Sequence, residues 1–140
     1  MSDLEKAINI AIKAHSGQVD KAGQPYILHP LRVMFRFETE VEMIVAVMHD
    51  VIEDSDFTSQ DLAKLGFSDA VLKALDCLTK RSNEDYDSFI LRVSQNDLAR
   101  KVKMEDIKDN LNLTRLDNVA AKDLQRLKKY HCALKVLANK

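Results

Sequence analysis

The sequence predicts an all-α fold, and three observations predict it. Apolar residues recur with a 3.6-residue period along most of the chain. Helix breakers are scarce, with three glycines and two prolines in 140 residues. Side chains that cap helix N-termini stand directly ahead of several apolar stripes. No segment alternates as a strand does, and neither an internal repeat nor a linker is visible. Residues 1–140 are therefore expected to form one domain.

The first helix opens with Ser2-x-x-Glu5, the pattern of a capping box, and its stripe is Leu4, Ala7, Ile8 and Ala11 with His15 on the same line. Residues 16–30 contain Gly17, Gly23 and Pro25 and read as a surface loop. Pro30, suited to a first helical turn, begins a second helix carrying Leu31, Val33, Met34 and Phe35. A third runs from about Val41 to Glu53. Its stretch Met43 to Met48 is apolar all round, which marks a buried central helix. Thr58-x-x-Asp61 caps a short fourth helix ending at Gly66. Ser68 caps a fifth along Val71, Leu72, Leu75 and Leu78, with Phe67 and Leu72 as a hydrophobic staple. Tyr86, Phe89, Ile90 and Val93 give a sixth, and a seventh spans about Asp97 to Leu113. The last starts at Ala121 and follows Leu124, Leu127, His131, Leu134 and Ala138. Met34, Met43, Met48 and Met104 are expected to fill the core.

Hydrophobic residues make up 46% of the chain and charged residues 31%, with a formal net charge of −1. This is a globular composition without a global field to favour nucleic acid or an anionic membrane. Phosphate binding would require a local basic cluster. No apolar run approaches the ~20 residues that span a bilayer, and the N-terminus is acidic and polar, unlike a secretory signal. Cys77 and Cys132 form no CxxC pair and are expected to be reduced core thiols. A cytoplasmic location is the expectation.

The chemistry begins where the central helix changes character, at His49-Asp50-Val51-Ile52-Glu53-Asp54. Unpaired buried carboxylates are costly, and a divalent metal between an imidazole and ionised acids removes that cost. A helix end emerging into solvent accounts for the same residues without a metal. On the seventh helix, Ala99 and Val102 mark an inward line that continues to Asp106 and Asn110, and Lys103 lies within reach of the same point. A wide charged face, with Glu105, Lys108 and Asp109, is the alternative. Lys21-Ala22-Gly23-Gln24-Pro25-Tyr26 combines a cation, a flexible turn and an aromatic ring, which suits a phosphate or nucleotide; a plain loop suits it as well. Lys80 and Arg81 complement a helix C-terminus, with contact to substrate phosphate as the other reading. His15 is expected to be packed and hydrogen-bonded near the site, and His131 to be structural or on the surface.

Four pieces occur in order: His15-x-Gly17-Gln18, Gly23-x-Pro25-Tyr26-Ile27-x-His29-Pro30-Leu31, His49-Asp50-Val51-Ile52-Glu53-Asp54, and Val102-Lys103-x-x-Asp106-x-x-x-Asn110. Together they resemble the hydrolase domain of the RelA/SpoT family and its small stand-alone relatives, over nearly the whole chain. The resemblance implies a helical HD-domain fold with a metal site between helices. It implies His29, His49, Asp50 and Asp106 as ligands of one divalent ion, manganese above all, with iron(II) or zinc as alternatives. It assigns Glu53 and Asp54 to catalysis, and Lys21, Tyr26 and Asn110 to the nucleotide. The chain departs from the family in three places. Asp20 replaces an arginine that holds the guanine ring, Asp109 replaces an aromatic or histidine, and Asn112 replaces an arginine.

The implied activity is metal-dependent release of pyrophosphate from the 3′ position of guanosine 3′,5′-bis(diphosphate)-type alarmones, the nucleotides of the stringent response. The metal would activate water, Glu53 and Asp54 would orient it and move protons, and Lys21, with Arg32 or Lys80, would balance the substrate charge. Asp20 stands in the recognition loop as a residue that either contacts base or sugar or weakens Lys21. Alarmone synthesis is not expected. The partner is a small phosphorylated nucleotide, not nucleic acid or membrane; the oligomeric state is not legible. Two alternatives remain: an HD phosphohydrolase for another phosphorylated nucleotide, and a metal-stabilised nucleotide sensor without turnover.

Overall fold

Each polar residue placed ahead of an apolar stripe caps a helix in the computed structural model, which describes residues 1–139. Ser2 accepts from the Glu5 amide while Glu5 returns to the Ser2 amide, opening α1 (Asp3–Ala14). Thr39 opens α3 (Glu40–Met48), and Thr58 and Asp61 form a second capping box ahead of α5 (Ser59–Lys64). Ser68, Asp85 and Asn96 cap α6 (Asp69–Leu78), α7 (Tyr86–Ser94) and α8 (Asp97–Asn110). The remaining helices are α2 (Leu28–Met34), α4 (Val51–Asp54) and α9 (Ala121–Ala138), with a 3₁₀ turn at Leu113–Arg115. Gly66, at φ +92°, ends the α5 segment in the left-handed region that glycine adopts without strain. Among the described residues the only β pairing is an isolated bridge between Val19 and Pro25. The all-α expectation holds.

The helices enclose one hydrophobic cluster. Its axis is α3, with Ile44 through Met48 all buried, and α1, α2, α6 and α8 pack around it. An apolar surface on every side of a helix requires this position. Met34 and Met48 lie in the core, while Met43 and Met104 pack against it half-buried.

Several expectations need correction. The third helix does not continue to Glu53. The Ala46 carbonyl, which would accept from Asp50 in a continuing helix, takes the ring Nδ1 of His49 at 2.6 Å and the His49 amide. The chain turns at His49–Asp50 and restarts as α4. The second helix begins at Leu28, two residues before Pro30, so His29 and Pro30 are buried helical residues rather than loop. The helix expected over Asp97 to Leu113, α8, stops at Asn110, and Asn112 caps the 3₁₀ turn that follows. On α9 the buried residues are Asp123, Ala133 and Leu137, with Tyr130 and the expected Leu134 packed half-buried against the core, while Leu124, His131 and Ala138 of the expected stripe are exposed. Both cysteines are free, but Cys132 is exposed and Cys77 half-buried, so neither is a core thiol. No helix among the described residues is long and apolar enough to cross a membrane.

Candidate metal centre and adjoining cavity

Helices α2, α3 and α8 converge at one buried point. His29 comes from α2, His49 from the end of α3, Asp50 from the turn that follows, and Asp106 from α8. One ligand atom each of His29, His49 and Asp50 lies within 4.8 Å of the other two. Asp106 Oδ1 stands 2.8 Å from His29 Nε2 and 3.3 Å from His49 Nε2. Asp50 Oδ2 is 3.0 Å from His49 Nε2 and 4.0 Å from His29 Nε2. His49 and Asp50 are consecutive, and both reach this point from the break between α3 and α4.

The donor chemistry tests whether a cation fits. His49 Nδ1 lies 2.6 Å from the Ala46 carbonyl, which can only accept. His29 Nδ1 lies 2.6 Å from the Asp109 carboxylate, also an acceptor. Each Nδ1 therefore carries the proton, and in a neutral ring Nε2 holds a lone pair. Both Nε2 lone pairs then face carboxylate oxygens, and His49 Nε2 makes no hydrogen bond of acceptable geometry. Lone pairs directed at anions repel unless positive charge lies between them. The residues fit a divalent ion bound by imidazole and carboxylate.

Without a cation between them, the same carboxylates would draw protons onto the rings instead. Burial opposes charge on His49, yet Asp50 and Asp106 raise its pKa well above the ordinary value. His29 follows the same pattern, with hydrogen bonds to Asp106 and Asp109 outweighing burial. Burial works against the Asp50 carboxylate, but His49 holds it down at about 2. Asp106 is likewise depressed against burial, chiefly by Lys103, whose Nζ reaches Oδ2 at 2.9 Å. The point is strongly electronegative.

Around it, Tyr26 Oη donates to Asp50 Oδ2, and Asn110 Nδ2 donates to Asp106 Oδ1 at 3.1 Å. His15 is buried, meets Gln18 Oε1 at 2.9 Å and lies 4.9 Å from the Tyr26 ring, a packed neighbour as expected. Gln18 also donates to the backbone carbonyls of Ala14 and Asp54, tying the end of α1 to α4. Glu53 and Asp54 are exposed on α4. Glu53 Oε1 accepts the Lys80 amide at 2.6 Å. Partial burial and then the charges of Asp50 and Glu53 raise the Asp54 pKa to about 6.

A cavity of about 390 Å³ opens beside His29. It brings together Asp20, Lys21, Tyr26 and Asn110 with Arg32 and Arg115. Lys80 does not line it. Asp20 Oδ1 accepts the amides of Ala22 and Gln24, both at 2.9 Å, so this carboxylate folds its own loop. Sequence reasoning missed Arg115, Arg126 and Tyr130 on the cavity wall, and it read Asp109 only as part of a charged face and as a departure from the family pattern. That residue is 1% exposed and bonds His29, Arg32, Arg36 and Arg115.

No protein-family profile matches the chain. Curated relatives do, three of which follow. A guanosine-3′,5′-bis(diphosphate) 3′-pyrophosphohydrolase of Aquifex aeolicus is 30% identical over 122 residues, covering 78% of this chain and 17% of its own length. One of Vibrio cholerae is 36% identical over 81 residues, covering 55% and 11%. A GTP pyrophosphokinase of Myxococcus xanthus is 27% identical over 143 residues, covering 89% and 18%. These relatives bear out the resemblance to the hydrolase domain of the RelA/SpoT family. The chain spans less than a fifth of their length. A solved structure of a metazoan SpoT ortholog, which hydrolyses ppGpp and plays a role in starvation responses, superposes with a TM-score of 0.77 at 21% identity. It covers 99% of this chain and 85% of that one, and establishes the HD fold. Against the RelA/SpoT pattern, the departures at Asp20 and Asp109 now have physical content: one closes a loop, the other holds a buried histidine.

Proposed function

We propose that residues 1–140 act as one metal-dependent phosphohydrolase domain that releases pyrophosphate from the 3′ position of guanosine 3′,5′-bis(diphosphate). The observation that carries this reading is the pair of Nε2 atoms facing Asp50 and Asp106 at the edge of a basic cavity. His29, His49, Asp50 and Asp106 would hold one divalent ion, manganese in the first instance, and the printed names of the relatives supply the substrate. The bound ion supplies Lewis acidity to water and to a phosphoryl oxygen.

The chain's own residues do the rest. Lys21, Arg32 and Arg115 line the cavity and offset phosphate charge. Tyr26 holds Asp50, and Asn110 holds Asp106 while lining the cavity. Asp54, with a pKa near 6, takes a proton from the attacking water, and Glu53 orients the neighbouring chain through the Lys80 amide. Water oxygen bonds to the 3′-linked phosphorus and the bond from phosphorus to the 3′ oxygen breaks. That oxygen is protonated, leaving a nucleoside 5′-diphosphate and pyrophosphate. Glu53 and Asp54 favour turnover over sensing, since a binder gains nothing from two adjacent acids beside a metal. A cytoplasmic site of action agrees with such a substrate.

The test is product analysis of Mn²⁺-loaded protein with guanosine 3′,5′-bis(diphosphate). Pyrophosphate and GDP are expected. Asp54→Asn should keep the metal and lose about 100-fold or more in turnover, the usual scale of a general acid–base group. Orthophosphate release would point to another phosphohydrolase, and binding without turnover to a sensor.

A further inference from the structure

Asp109 is buried, charged and bonded to four side chains, yet it is neither in the proposed ligand set nor in the acid pair. Its Oδ2 meets His29 Nδ1 at 2.6 Å. Arg32 donates to it through Nε at 3.0 and 3.3 Å and through Nη2 at 3.0 Å. Arg36 Nη2 reaches Oδ1 at 3.3 Å, and Arg115 Nη2 reaches Oδ2 at 3.5 Å and the Asp109 carbonyl at 2.8 Å. Three guanidinium groups can only donate, so they demand acceptor atoms on the side facing them. A carboxylate satisfies them and still offers an acceptor to His29.

We infer that Asp109 is the positioning residue of the metal centre: it holds the proton of His29 on Nδ1 and so directs the Nε2 lone pair at the ion. This deepens the reading above and rests on it. The arginines make the carboxylate irreplaceable by its amide. In Asp109→Asn the single amide oxygen turns to the arginines, and the NH₂ group faces His29. Nδ1 must then accept, the proton moves to Nε2, and that atom can no longer ligate. The same arginines line the cavity through Arg32 and Arg115, so Asp109 joins the metal centre to the anion-binding wall.

The experiment uses the full chain and Zn²⁺ as a diamagnetic probe. Its affinity is measured by chelator competition, and ¹⁵N–¹H correlation of labelled histidines reads which ring nitrogen carries the proton. In Zn²⁺-loaded wild type, His29 should carry its proton on Nδ1 and bind through Nε2. Asp109→Asn should weaken Zn²⁺ binding by about 10–100-fold, the scale for lost outer-sphere partners. It should also move the His29 proton to Nε2 in the metal-free protein at alkaline pH. Arg36→Gln, which removes one arginine without touching His29, should change affinity by no more than about twofold, as for a partly exposed ion pair. Wild-type His29 bound through Nδ1, or Asp109→Asn with unchanged affinity, would overturn the inference alone. Absence of any specific Zn²⁺ site in wild type would overturn the metal centre and the inference together. Should Asp109→Asn fail to fold, the wild-type tautomer decides.

Discussion

An aspartate at position 20, where the family pattern carries an arginine, is explained by the amides of Ala22 and Gln24 that its Oδ1 accepts. It shapes the tight turn in which Gly23 adopts φ +80°, and its charge faces the cavity as a by-product. Asp20→Asn keeps an oxygen for both amides and removes the charge. The expected outcome is an unchanged thermal midpoint and a KM for a polyphosphorylated nucleotide lowered by about two- to fivefold, modest because the loop is solvated. A raised KM would mean that Asp20 contacts the substrate. The sequence showed the departure but not its cause, because an Asx turn depends on backbone geometry that composition does not encode. Asp109 was hidden for a related reason. Ala99, Val102 and Asp106 continue either to Asn110 or to Asp109 along one helix face. Burial in the structure chooses Asp109, while Asn110 stays exposed and reaches back to Asp106.

At the scale of elements, capping was the most legible feature, since a cap is a local bond between residues three apart. Ser2, Thr58 and Ser68 all behave as read. The break between α3 and α4 was not legible. It depends on a ring nitrogen taking a carbonyl from the helix, a bond that the residue pattern does not announce. The start of the α9 stripe was misread because Leu124 continues the apolar pattern, whereas Asp123 is the buried residue, through its bonds to the Ala120 amide and to Arg126. The connection from α6 to α7 shows a further unpredicted device. Arg92 donates to the carbonyls of Asp76 and Thr79 and pairs with Glu84 at 2.9 Å. Side-chain bonds from Arg92 and the Arg81 amide lower the Glu84 pKa from 4.5 to about 2. A depressed carboxylate contributes stability above its unfolded pKa and loses it as pH falls toward the folded one. The difference in thermal midpoint between wild type and Glu84→Gln should therefore be constant above about pH 5 and shrink toward pH 2. A difference independent of pH would show that Glu84 acts through shape and not through charge.

For the molecule as a whole, the buried α3 axis and the helical packing around it followed from periodicity, and the order of the four motifs pointed to the cluster of His29, His49, Asp50 and Asp106. What no motif contained was the wall of the cavity. Arg115, Arg126 and Tyr130 lie outside the motifs and meet Lys21 and Tyr26 only through the approach of the 3₁₀ turn and α9 to the loop before α2. Long-range convergence of this kind has no local signature in one sequence. The centre itself gathers two imidazoles and two carboxylates, of which His29, His49 and Asp106 are buried, a grouping whose cost falls when a cation joins it. The most direct test is elemental analysis of protein purified without chelator, on wild type, His49→Ala and Asp106→Ala in parallel. About one manganese, iron or zinc per chain is expected in wild type and little in either variant, with helical content retained. Metal-free wild-type protein that cannot be loaded, or full occupancy in both variants, would contradict the account.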